Sequence, residues 1–362
     1  MSTNSDDKVK PVNLHKPSGT AIEQQRLPAW QPILTAGTVL PMFFVVGIAF
    51  IPIGVGMLHI SSNVKEKVVD YTDCGFPGNT CADQLKRYPG TSCTCTINFK
   101  MDKDWTEGRS VYVYYKLTNY YQNHRRYVKS RDDVQLLGSV RKEPSENCGQ
   151  FSYNGKLPIV PCGAIANSLF NDTYSLSYTP LNFGARTEVK IRRDGIAWDS
   201  DIRMKFANPQ NYDPAYPEAA FRGTAKPFNW PQEIWRLTSA SRTNDALRYE
   251  PLMVWMRTSA FPDFRKNYGI IDNTQTYFKN GLPAGNYELQ IKYSYPVKSF
   301  NGTKSFVLAT TSLFGGKNPF LGFAYISVGG LFLVTGIVLV FIHLKFGKSV
   351  REMVDVDEST AY

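Results

Sequence analysis

Apolar positions are distributed unevenly along the chain. No Asp, Glu, Lys or Arg occurs from Leu27 to Val64, nor from Asn318 to Leu344. Each run exceeds the roughly 20 residues that a helix needs to cross a bilayer. The pattern predicts membrane spans at residues 35–57 and 319–344, separated by a large segment at 58–318. Within that segment the apolar pattern has a period of two more often than 3.6. Val111 to Leu117, Glu188 to Ile191, Leu252 to Met256, Tyr287 to Tyr295 and Phe306 to Thr310 read as strands, rich in β-branched and aromatic residues. Pro- and Asn-rich stretches such as Ala207 to Pro217 read as loops, and Gly281 to Asn286 as a turn entering the Tyr287 strand. The expected fold is one large antiparallel β-rich ectodomain flanked by two transmembrane helices. Pro41 and Pro52 predict kinks or local loosening of the first span. Neither span holds a charge or a Gly-x-x-x-Gly pair, so each reads as a packed anchor, with no sign of an ion path or of that dimer seam.

This division excludes a fully soluble protein, and two spans alone cannot enclose the midplane site of a transporter. The first apolar block begins too late and runs too long for a cleaved signal sequence, so a retained anchor is expected. Charge sharpens the picture. The chain has 41 Lys and Arg against 31 Asp and Glu, a formal net charge of +10. The two tails cancel each other, so the whole excess lies between the spans. Its plausible counterparts are an acidic protein face or anionic lipid headgroups. Cys74, Cys81, Cys93, Cys95, Cys148 and Cys162 also all lie there, an even set that indicates disulfides and an oxidising compartment. The sequons at Asn171 and Asn301 agree, so both are expected to carry glycans. An external central segment places both termini in the cytosol. Lys345, Lys348 and Arg351 beyond the second span fit the positive-inside tendency.

Catalytic chemistry is hard to assemble. His124 is the single histidine well inside the central segment, and oxidised cysteines cannot join it around a metal. Gly347-Lys348-Ser349 lacks the earlier glycine and the strand of a phosphate loop, and no Gly-x-Ser-x-Gly occurs. No catalytic residue, metal or cofactor is therefore assigned. Six cysteines allow 15 pairings. Local economy favours Cys148 with Cys162 and a nested set, Cys74 with Cys95 and Cys81 with Cys93, because Cys93 and Cys95 share one face of an extended segment. The densest polar cluster runs from Tyr120 to Asp133. Its tyrosines and basic residues suit headgroups or an acidic partner loop. The competing structural reading pairs Arg125, Arg126 and Arg131 with Asp132, Asp133 and main-chain carbonyls, and packs the tyrosines.

Several separated blocks carry a family resemblance: Gln24 to Pro32, Asn119 to Asp133, Pro161 to Thr173, Gly195 to Trp198, Val254 to Thr258 with Phe264 to Lys266, and Gly315 to Gly322. In this order they resemble the cell-division-cycle-fifty (Cdc-fifty/Lem-three) family, accessory β-subunits of type-IV P-type ATPase lipid flippases. The spacing of Cys74 and Cys81 is wider than the family's usual pattern. The resemblance implies a disulfide-bonded, glycosylated ectodomain without catalytic activity. It also implies a heterodimer with a catalytic ATPase, which the subunit accompanies out of the endoplasmic reticulum and supports in moving aminophospholipids toward the cytosolic leaflet. The endoplasmic reticulum, Golgi, endosomes and plasma membrane are the compartments it implies. Gln24, Gln25, Arg26, Trp30, Arg125, Arg126, Lys317 and Asn318 are the candidate partner contacts. A free-standing receptor or adhesion ectodomain is the alternative, distinguished by whether one large multi-span ATPase co-purifies.

Overall fold

In a computed structural model, residues 19–27, 35–76, 78–105, 110–140, 143–181, 184–238, 244–312 and 314–347 are described. They divide into two units, one drawn from residues up to Val55 and from Gly322 onward, the other from Gly56 to Leu321. Two helices, Ala36–Ser62 and Phe320–Phe346, have the length and apolar composition of membrane spans. Each has 27 residues, about 40 Å at the helical rise, enough to cross the hydrocarbon core with tilt. The first remains helical through Pro41 and Pro52.

The spans pack antiparallel along a seam that contains no Gly-x-x-x-Gly pair. Its glycines recur every seventh residue: Gly47 and Gly54 on the first span, Gly322, Gly329 and Gly336 on the second, all buried. A Cβ on Gly54 would lie 2.8 Å from the Gly322 carbonyl oxygen, and one on Gly47 would lie 3.0 Å from that of Gly329. Main chain therefore approaches main chain, as small residues permit in membranes. Phe43 on Phe332 and Phe50 on Tyr325, with ring centroids 5.1 and 5.0 Å apart, flank the line of contact.

Nine strands build the two sheets of the second unit: β1 (Glu66–Asp70), β2 (Cys93–Met101), β3 (Val111–Leu117), β4 (Thr173–Thr179), β5 (Thr187–Val189), β6 (Ile191–Arg192), β7 (Phe264–Ile271), β8 (Gly285–Tyr293) and β9 (Lys304–Thr310). One sheet has the order β1-β9-β3-β7-β6 and the other β2-β8-β4-β5, with every pairing antiparallel. Register follows the apolar alternation. Leu289 lies opposite Ile97 and Leu176, and Leu308 opposite Val113. The sheets share an aromatic core in which Tyr174 of β4 packs 5.1 Å from Phe306 of β9 and 4.6 Å from Tyr268 of β7. Tyr268 occupies a bulge between the paired residues Asn267 and Gly269, which turns its ring inward.

Two strand expectations need correction. Leu252 to Met256 is not a strand but part of the helix Glu250–Met256. Its Val and Trp residues favour strands, yet Pro251 suits a first helical turn, and burial on nearly every side removes the polar stripe that reveals a helix. Glu188 to Ile191 is divided between sheets: Val189 ends β5, Ile191 begins β6, and the chain crosses at Lys190. The three bridges are Cys74–Cys95, Cys81–Cys93 and Cys148–Cys162, with Cα atoms 6.1, 5.4 and 5.7 Å apart. The first two pin the hairpin Gly75–Thr80 and the helix Cys81–Arg87 to the start of β2. That helix begins in a capping box between Thr80 and Asp83.

Candidate partner-contact surface

Most of the family-like blocks turn inward and hold one another. The Glu250 carboxylate, at the start of its helix, accepts the amides of Gly195, Ile196 and Ala197 at 3.0, 2.7 and 2.9 Å. The Gly195 to Trp198 stretch is thus fixed by an acid 55 residues away. At the other end, Lys266 of β7 reaches into the core. Its ammonium donates to the carbonyls of Val254, Trp255 and Arg257 at 3.0, 2.7 and 2.5 Å, satisfying the helix C-terminus. Burial pushes Lys266 down to about 7, and the nearby Arg257 charge acts in the same direction.

The Asn119 to Asp133 and Pro161 to Thr173 blocks are joined in the same way. Gln135 accepts the Cys162 amide at 2.9 Å and donates to the Ile159 carbonyl at 3.1 Å, clasping the segment that ends in the Cys148–Cys162 bridge. The Ser130 hydroxyl accepts the Ala164 amide at 2.9 Å, and Tyr127 shares a 2.8 Å hydrogen bond with Ser168. Gly163, at φ 104°, lies so close to the Ser130 carbonyl that a Cβ has no room. Tyr120 stands among the rings of Tyr127, Trp255, Phe264, Tyr295 and Phe300. These tyrosines are core.

The expected arginine network does not form. Arg131 pairs with Asp133 at 3.0 Å on the surface, but Asp132 is buried and its carboxylate accepts the amides of Val134, Gln135 and Ser145. A carboxylate engaged in capping is not available to an arginine. Arg125 and Arg126 therefore sit on the single-turn helix Arg125–Lys129, both exposed and without an ion-pair partner among the described residues. Beside them, two loops are tied together by Tyr120 N–H to the Pro262 carbonyl, Ser259 N–H to the Gln122 side chain, and Asn123 to the Ala260 carbonyl. Each loop exposes an aromatic residue, Tyr121 at 58% and Phe261 at 73%. Exposed aromatics beside unpaired arginines match the anchors enriched in protein interfaces.

The other candidates lie elsewhere. Gln25 and Arg26 are exposed and Gln24 is half-buried around a turn at residues 21–25, in which Gln25 takes a left-handed conformation at φ 54°. Trp30 lies outside the described residues. Lys317 is exposed. Asn318 has a structural task, because its side chain accepts the Phe320 amide at the start of the second span and its own amide donates to Ser61. No hydrogen bond or ion pair among the described residues links Arg125 or Arg126 to Lys317 or Asn318. Asn301 is exposed in a left-handed turn at φ 54°, whereas Asn171 is half-buried with its Oδ1 sealed and unpaired. Sequence reasoning missed Lys266, Glu250 and Gln135. Their signal was a charged or amide residue within or beside otherwise apolar blocks.

A pair of seam-packed spans with a three-disulfide, two-sheet domain between them in sequence defines the class, a membrane-anchored protein dominated by one antiparallel β-rich domain. The model of the LEM3 (ligand-effect modulator 3) family / CDC50 family matches residues 57–349, and the chain belongs to that family. It is 48% identical to Cell cycle control protein 50A of Bos taurus over 338 residues, covering 92% of this chain and 91% of the relative. Against Cell cycle control protein 50B of Homo sapiens it is 43% identical over 339 residues, covering 92% and 95%. ALA-interacting subunit 3 of Arabidopsis thaliana is 37% identical over 338 residues, covering 92% and 87%.

Proposed function

We propose that this chain is the non-catalytic β-subunit of a phospholipid flippase, paired one to one with a type-IV P-type ATPase. The observation that carries the reading is the exposed group of Arg125, Arg126, Tyr121 and Phe261 on adjoining segments that are hydrogen-bonded to each other, within a chain of this family. The relative named an ALA-interacting subunit supports an assembly role. In this reading both termini are cytosolic, and the ectodomain faces the lumen or the cell exterior. It clamps the external loops of the ATPase through desolvated aromatic anchors and complementary charge. A subunit of this kind biases a transport cycle by binding some conformations of its partner better than others. It is needed for the partner's folding, exit from the endoplasmic reticulum and movement of aminophospholipids to the cytosolic leaflet.

The test is purification from membranes in mild detergent, identification of the co-purifying chain, and reconstitution. A multi-span P-type ATPase at equal stoichiometry, with lipid-stimulated hydrolysis and phosphatidylserine movement that both need this subunit, is the expected result. Lipid movement by the isolated chain would sink the reading, and so would recovery of the chain without any such partner.

A further inference from the structure

The glycine seam closes only part of the span pair. Continuing the seven-residue repeat past Gly47 reaches Leu40 in the first span, and continuing past Gly336 reaches His343 in the second. Bulky side chains stand where backbone contact needs none, and the helices part around a cleft of about 360 Å³. Val39, Leu40, Leu339, Ile342 and Phe346 line it, with Thr35 and His343 supplying its polar groups at the end nearest the chain termini. The volume is that of a small-ligand site. An apolar cleft gives water too few polar partners to hold it, and the surrounding medium at this depth is hydrocarbon. At the same end of the second span, the Lys345 ammonium is exposed, lies 5.4 Å from the Phe346 ring centroid, and has no acidic partner among the described residues.

We propose that this cleft is a lipid site that takes one acyl chain of an anionic phospholipid from the adjoining leaflet. Leu40 and His343 hold the helices apart, the apolar walls take the chain, and Thr35, His343 and Lys345 face the ester and phosphate level of the lipid. The site goes beyond the flippase reading and does not rest on it, because its observations concern only this chain's own spans.

The experiment uses the full chain in nanodiscs of phosphatidylcholine with a minor fraction of phosphatidylserine, doped with either phospholipid carrying a diazirine in its acyl chain. After illumination, labelled peptides are mapped. Label is expected to concentrate on Val39, Leu40, Leu339 and Ile342, and to fall by about tenfold in Leu339→Trp, which fills the cleft. Val39→Phe, from the opposite helix, should give the same loss if the first variant folds poorly. Labelling at Val334 and Ile337, which are 60% and 61% exposed on the outer face, should not change in either variant. Lys345→Glu should abolish the preference for the phosphatidylserine probe while preserving labelling by the phosphatidylcholine probe. Labelling no stronger in the cleft than at Val334 would overturn the proposal. It would also be overturned if Ile33→Cys and Ile342→Cys cross-link quantitatively with lipid label absent, which would make the chain's own segment the occupant. Loss of cleft labelling whenever a membrane partner co-purifies would assign the cleft to a partner helix instead.

Discussion

The Lys304 ammonium lies 2.6 Å from the Asp172 carboxylate, and both side chains are wholly buried. Asp172 also accepts the amides of Ser294 and Tyr295 at 2.6 and 2.7 Å and the Tyr71 hydroxyl at 3.0 Å. Lys304 sits 3.1 Å from the Tyr293 ring centroid and donates to the Tyr295 carbonyl. Burial pushes the Lys304 amine down to about 8, while Asp172 pulls it back up. Breaking such a pair leaves an uncompensated charge, so Asp172→Asn should cost about 3–5 kcal/mol of stability. Without Asp172 the folded-state pKa falls further while that of the unfolded chain does not. The loss should therefore be largest well on the acid side of about pH 8 and shrink as pH rises toward it, because above that value the amine is neutral in both folded forms. Thermal unfolding of variant and parent across that range checks both size and sign. A double replacement of Lys304 and Asp172 by apolar residues should recover most of the loss.

Lys266 gives the stability a second pH dependence. Its folded-state pKa is depressed from 10.5 to about 7, chiefly by burial. The three carbonyls it serves favour the ammonium form and oppose that push. For a base with a lowered folded pKa, the unfolded chain binds the extra proton between the two values. Stability contributed at this site should therefore rise with pH from about 7 toward 10.5. In Lys266→Met that rise should flatten. The variant should also lose about 1–3 kcal/mol, because the carbonyls at the end of the Glu250–Met256 helix lose their donor. Denaturant midpoints measured at several pH values supply the comparison.

The glycine seam can be tested by crowding it. A leucine side chain at position 47 would begin within 3.0 Å of the Gly329 carbonyl and collide with Leu333. Gly47→Leu should therefore push the spans apart at a cost of about 1–3 kcal/mol. Cysteines replacing Phe43 and Phe332, whose ring centroids lie 5.1 Å apart, should form a disulfide readily in the parent and poorly in this variant. Undiminished cross-linking would mean that the seam is not the contact.

Membrane spans, β-rich class and confined cysteines were legible because each rests on a pattern the chain carries locally: length without charge, alternation, and an even count in one segment. What stayed hidden depends on partners far away in sequence. Leu252 to Met256 reads as a strand until Glu250 is seen bonded to Gly195 through Ala197 and Lys266 to the other end of the helix. β7 escaped notice because Arg265, Lys266 and the bulge at Tyr268 break its alternation. The spans' seam was hidden by looking for a four-residue rather than a seven-residue spacing of glycines. In the Tyr120 to Asp133 cluster, residue types alone could not tell that Asp132 caps a helix and leaves Arg125 and Arg126 outside.

The two sequons should behave differently in the folded protein. Asn301 is exposed in its turn, while Asn171 is half-buried and followed by the wholly buried Asp172. A glycosylating enzyme needs the sequon in extended, accessible form, which Asn171 offers only before the sheets close. Protein made without glycans and then folded should accept a glycan in vitro at Asn301 and not at Asn171. Equal modification at both sites, read by peptide mass, would contradict this difference.

Arg125 and Arg126 are exposed, have no ion-pair partner among the described residues, and adjoin loops that present Tyr121 and Phe261. Removing them costs the fold nothing visible, since no hydrogen bond or ion pair among the described residues depends on their side chains. A role in binding would instead appear only in the complex. Arg125→Glu with Arg126→Glu should therefore leave the disulfides, glycans and unfolding temperature unchanged while weakening recovery of the P-type ATPase by tenfold or more, about 1.4 kcal/mol. Tyr121→Ala should weaken it through lost packing, with little dependence on salt. The effect of the arginine pair should diminish as ionic strength rises. Arg131→Ala serves as the control, because Arg131 is already paired with Asp133. If all three variants recover the ATPase equally, the contact lies on another face of the ectodomain.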